Sequence, residues 1–155
     1  MKIQIDMSDF YRKWQIAMTE AALDIENSLK DKLTKEHGVD TQNLKGSIKV
    51  RYNSSSGNIE IEMADYGLYL EYGTPPHKSP VEKIDGKLRI PAYEGWVRRK
   101  WGMGSKDGDK ENIQGTWILA KIIKMRGTRP YPFIRPTFEN EVMDIIKAAL
   151  KRNFK

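Results

Sequence analysis

Apolar residues recur at steps of three and four through Phe10, Trp14, Ala17, Ala21, Ile25, Leu29 and Leu33. That period lines one stripe along a helix and predicts a long one over 8–35. Ser8 stands at its N-cap position, Asp9 falls in its first turn, and Gly38 ends it. The period then changes to two. Ile48, Val50 and Tyr52 alternate with Lys49 and Arg51, and Ile59, Ile61 and Met63 alternate with Glu60 and Glu62 around the turn NSSSGN. This pattern is a β-hairpin over 47–63 with one buried face, which the helix stripe can cover.

Farther along, the elements are shorter. A helical piece over 65–72 runs into GTPPHKSP, whose prolines end regular structure. A short strand over 87–90 and a short helix over 92–101 follow, and then GMGSKDGDKEN, a flexible loop at 102–112. A helix over 112–126 stops at Gly127. TRPYPFIRP is extended, because proline pushes the residue before it toward β or polyproline backbone. Pro136 suits the first position of a last amphipathic helix, with Phe138, Val142, Ile145, Ile146, Ala149 and Leu150 on its apolar side, running to about 153. The fold class is α+β, a small antiparallel sheet (hairpin 47–63 plus short strands) packed against the long N-terminal helix and the C-terminal helix.

With 155 residues, one domain over 1–155 is expected, the stretch 77–128 standing as an insertion within it. Hydrophobic residues are 39% and charged residues 31%, enough for one core beneath a very polar surface. Cysteine is absent, which removes disulfides and thiolate chemistry. The first residues lack the apolar core of a signal peptide, and no run approaches a bilayer span, so synthesis in the cytoplasm and no membrane partner are expected. The net charge of +6 is unevenly placed: residues 77–135 hold 14 basic and 6 acidic groups. Such a segment either faces nucleic acid or an acidic protein, or is a solvated lysine-rich surface.

The search for catalytic chemistry yields nothing positive. His37 and His77 lie near no nucleophile motif, and His37 reads better as a residue at the C-terminal end of the helix, where the dipole is negative. Asp107, Asp109 and Glu111 lack the remaining ligands of a calcium loop. Gly102, Gly104 and Gly108 do not form a Walker pattern. No enzyme and no cofactor are expected.

Three segments in order, DTQNLKGSIKVRY at 40–52, YLEYGTPPH at 69–77 and RPYPFIRPTFENEV at 129–142, resemble the tail-completion and head-to-tail connector (neck) family of long-tailed double-stranded DNA bacteriophages. The first helix, hairpin and final helix fall in that family's order, so the resemblance covers nearly the whole chain. The link between the second and third segments is longer here than in many relatives. The resemblance implies a structural virion subunit that closes into a ring, a hexamer by analogy, beside tail terminator, tail tube or head connector proteins, with double-stranded DNA passing through. Tyr69, Glu71, Tyr72 and Gly73, with Arg129, Tyr131, Phe133 and Arg135, are then candidate interface residues, since aromatics and arginine anchor protein interfaces. The tyrosines fit equally as a cap on the core edge, and Phe133 and Phe138 as core residues under the last helix. The alternative function is nucleic-acid binding through 77–135, with Arg98, Arg99, Lys100 and Lys106 facing DNA and Trp101 as a stacking platform.

Overall fold

The computed structural model describes residues 6–37 and 42–154. Its elements are α1 (Ser8–His37), α2 (Gln42–Ser47), β1 (Lys49–Asn53), β2 (Asn58–Glu62), α3 (Tyr66–Tyr72), β3 (Glu82–Ile84), β4 (Lys87–Arg89), α4 (Pro91–Trp101), α5 (Lys110–Arg126), α6 (Ile134–Asn140) and α7 (Val142–Asn153). The class is α+β. There are two separate two-stranded antiparallel sheets, β1–β2 and β3–β4, so the short strand expected near 87–90 pairs with β3 instead of extending the first hairpin. The chain divides into two compact units, Met1–Gly67 with Pro132–Lys155, and Leu68–Tyr131. The second encloses the expected insertion at 77–128.

In the first unit the predicted stripe is the core. Ala17, Ala21, Ile25, Leu29 and Leu33 are buried, together with Leu44, Ile48 and Val50. Ala17 and Ala21 meet Ala149, flanked by Ile145, Ile146 and Leu150 of α7. Alanine on both helices lets their backbones approach closely. Arg152 of α7 reaches Asp24 at 2.8 Å and Glu20 at 3.3 Å on α1. The stripe does not continue to its first residue. Phe10 is exposed and Trp14 half-buried; Phe10 stacks on Trp14 and contacts Phe154, and Trp14 Nε1 donates to the Tyr52 hydroxyl at 3.2 Å. Ser8 is not the cap: the Met7 carbonyl accepts the first helical bond, from Tyr11, and the Asp6 carboxylate accepts the Ser8 N–H at 2.8 Å. The expected stop at Gly38 lies outside the described residues.

The hairpin register pairs Val50 with Ile61 and Tyr52 with Ile59, as the alternation requires. Ser47 lies within the first resembling segment, at the end of α2. Its hydroxyl donates to the Leu44 carbonyl at 2.8 Å and accepts the Ala64 N–H at 3.0 Å, tying the end of α2 to the chain leaving the hairpin. Glu26 of α1 accepts the Val50 N–H at 2.9 Å. The last helical stretch is two helices. The α6 helix begins at Ile134, which moves Pro136 from the first to the third helical position, still within the turn whose N–H groups lack helical partners. Glu141 breaks the run at φ −124°, and its carboxylate meets Ser28 and Lys32 of α1, with 2.6 Å to Lys32.

In the second unit α4 packs on α5. Gly115 sits where an added Cβ would come within 2.4 Å of Val97, so the helices touch at a position without a side chain. α5 starts at Lys110, so part of the expected loop is helical. The remaining turn is held together by Asp109, whose carboxylate accepts the Ser105 N–H at 2.9 Å, the Ser105 hydroxyl at 2.7 Å and the Lys106 N–H at 3.1 Å. These donors, the Ser105 hydroxyl first, hold the Asp109 carboxyl below its ordinary value. Buried Asn112 donates to the Glu94 carbonyl at 2.9 Å and the Met103 carbonyl at 3.3 Å.

Candidate assembly surface

The seven residues of α3 lead into Gly73, where the chain turns at φ 68°. Thr74 then pairs with Thr128 in an isolated antiparallel bridge: the Thr74 N–H donates to Thr128 at 3.2 Å, the Thr128 N–H returns a bond at 3.0 Å, and the hydroxyls lie 3.0 Å apart. The Tyr131 N–H donates to the Leu70 carbonyl at 2.7 Å. YLEYGTPPH and the start of RPYPFIRP are therefore laced together by backbone bonds across fifty-four positions of sequence.

Two glycines make the crossing possible. A Cβ on Gly73 would lie 2.4 Å from the Thr128 carbonyl oxygen, and one on Gly127 would lie 1.9 Å from the Thr74 oxygen. Gly127 closes α5 as expected, but at φ 69° and ψ −159°, a combination essentially restricted to glycine. Its second role is visible in sequence only as a pairing, Gly-Thr-Pro at 73–75 and Gly-Thr-Arg-Pro at 127–130, two Gly-Thr steps each close to a proline.

The crossing carries exposed aromatics. Tyr69 is 62% and Tyr72 64% exposed on α3, and Tyr131 and Arg129 are exposed on the returning segment. Beside them a groove of about 530 Å³ runs between α4 and α5, walled by Tyr93, Trp96 and Ile122 and ended by Arg126, Arg129 and Tyr131. Two candidates do not join this display. Glu71 is only 2% exposed and Phe133 fully buried, so each packs inside the chain; α3 turns Glu71 inward, and Phe133 precedes α6 with its carbonyl accepting the Thr137 hydroxyl at 2.8 Å. Arg135 is exposed on α6, in the first unit.

The residues proposed to face DNA lie at the end of α4 and in the turn after it. Arg98 pairs with Asp107 at 3.0 Å, Arg99 and Lys100 end α4 with exposed side chains, and Lys106 is exposed in the turn. Trp101 is not a free platform: its ring packs edge-on against Trp96, centroids 5.4 Å apart. Arg89 and Glu94 were missed from sequence. Glu94 is buried and grips Arg89 through both carboxylate oxygens, one bond measuring 2.7 Å, which raises the Arg89 pKa; Gly108 leaves room for that guanidinium. The net positive charge lies in one unit. Leu68–Tyr131 holds 13 basic and 7 acidic residues, the whole excess of the chain.

Among the described residues no cluster of histidine, cysteine and carboxylates could hold a metal ion, and no helix is long and apolar enough to cross a membrane. No protein-family model, curated protein or solved structure matches the chain.

Proposed function

We propose that the chain is a non-enzymatic virion subunit of a long-tailed double-stranded DNA phage, acting at the neck or in tail completion. Copies close into a ring that joins tail to head and lets DNA pass, in contact with tail terminator, tail tube or head connector proteins. The observation that carries this reading is the stiff crossing of the second and third resembling segments, with Tyr69, Tyr72, Arg129 and Tyr131 displayed around it. Tyrosine and arginine are favoured anchors of protein interfaces. Rigid aromatics also lose little conformational entropy on docking. Negative-stain imaging and native mass spectrometry of the purified chain over a concentration series test the reading. Closed rings of one subunit number support it, and a chain that stays monomeric both alone and with tail-tube subunits overturns it.

The segregated charge favours a second reading, nucleic-acid binding by the Leu68–Tyr131 unit. Affinity for duplex DNA that falls steeply with salt, without ring formation, would place the chain there. The Arg98–Asp107 pair and the Trp96–Trp101 contact weigh against it, since both engage groups that this reading needs.

A further inference from the structure

A second cavity, of about 420 Å³, opens on the Leu68–Tyr131 unit beside its small hairpin. Helical spacing puts its α5 residues, Trp117, Ala120, Lys121 and Lys124, on the side opposite the residues that line the first groove. Val81, Ile90, Trp117 and Ala120 form an apolar wall, and Lys78, Lys121 and Lys124 stand around it. None of the three lysines has an ion-pair partner among the described residues, and no carboxylate lines the cavity. Ser79 is its one hydroxyl, already donated to the Tyr93 hydroxyl at 3.0 Å.

We propose that this cavity receives an acidic segment of a partner protein, seating one bulky apolar side chain against Trp117 while flanking carboxylates meet Lys78, Lys121 and Lys124. Three uncompensated ammonium groups on an apolar rim call for an anion with an apolar body. A nucleobase would supply the charge through its phosphate, but its edge donors and acceptors would be buried against Val81, Ile90 and Ala120, a costly position for unpaired polar atoms. An aliphatic or aromatic side chain has no such groups. The proposal rests on this unit alone and stands apart from the ring reading, which uses other residues.

The test is an amide-shift titration of the labelled full chain with a capped hexapeptide, Phe-Leu between acidic pairs. Its controls are the same peptide with amides in place of the acids, and a thymidylate hexamer. Shifts should centre on Val81, Ile90, Ala120 and Lys121, and the double variant Lys121→Glu with Lys124→Glu should bind about tenfold more weakly. Trp117→Ala should weaken binding of both peptides. Binding should also weaken between about 50 and about 300 mM salt, as exposed ion pairs do. The absence of shifts at millimolar peptide, shifts elsewhere, or equal binding of the amide peptide overturns the proposal. Tighter thymidylate binding at the same residues would make this a nucleic-acid site. Self-association abolished by the double variant would make a second copy the occupant.

Discussion

Gly73 and Gly127 each precede one threonine of the Thr74–Thr128 bridge and lie against the opposite strand, and neither can accept a side chain without moving backbone. Gly127→Ala should destabilise the Leu68–Tyr131 unit by at least about 1 to 3 kcal/mol from backbone strain alone, with the clash adding to it. Gly46→Ala is the matched control: it is helical, has nothing within 4 Å of its added Cβ, and should be neutral or stabilising by up to about 1 kcal/mol. Urea titration separates the two, and amide exchange at Thr74 and Thr128 should accelerate only in the first. Glu26 makes a prediction about pH. Desolvation pushes its carboxyl up, but the Lys30 ammonium and the Val50 N–H outweigh that and hold it below its ordinary value. A depressed carboxyl pKa adds stability above its unfolded-state value and loses it as pH falls through the folded-state value. Glu26→Gln should therefore be less stable than the parent at neutral pH and lose less on acidification, read as melting temperature against pH through the carboxylate range. Equal acid slopes would remove Glu26 from the linkage.

At the scale of elements, α1 joins its partners in two different ways. Its middle is a dry seam of Ala17 and Ala21 on Ala149, and its beginning is an open aromatic cluster with a single side-chain hydrogen bond to the hairpin. Ala21→Leu should cost about 1 to 3 kcal/mol by forcing α1 and α7 apart, and Ile25→Ala about 2 to 5 kcal/mol by leaving a cavity. Trp14→Ala should cost less than Ile25→Ala, because Trp14 keeps one edge in solvent. Chemical denaturation of the three variants gives the order, and a Trp14→Ala loss exceeding that of Ile25→Ala would mean that the aromatic cluster is the real core. Most of this was legible in the sequence: the three-and-four spacing of Ala17 to Leu33 marked the seam correctly, and the alternation over 48–63 marked the hairpin. Phe10 was misread because periodicity continues past the point where α7 and the sheet cease to cover the helix.

For the whole molecule, the display of Tyr69 and Arg129 matters only if copies meet. Tyr69→Ala with Arg129→Ala should leave the melting curve within about 0.5 kcal/mol per site, since both side chains are exposed. Assembly should fail, because an interface anchor is worth about 2 kcal/mol and a closed ring repeats the loss at every contact. Native mass spectrometry of the variant beside the parent reads the result, and rings of normal size would remove these residues from the interface.

The sequence by itself determined what is local. Helix and strand periods, the hairpin, the proline-ended turns and the basic bias of 77–135 all follow from neighbours a few residues apart. Tertiary structure alone decided where residues end inside or outside against their own polarity. Glu71 and Tyr72 are adjacent on one short helix, yet one is buried and the other exposed. Glu94 is buried and Arg89 nearly so because each satisfies the other, and the two Gly-Thr steps of 73–74 and 127–128 became one crossing. Pairings of that kind depend on loop closure across tens of residues and on complementary groups arriving together, and no spacing along the chain encodes either.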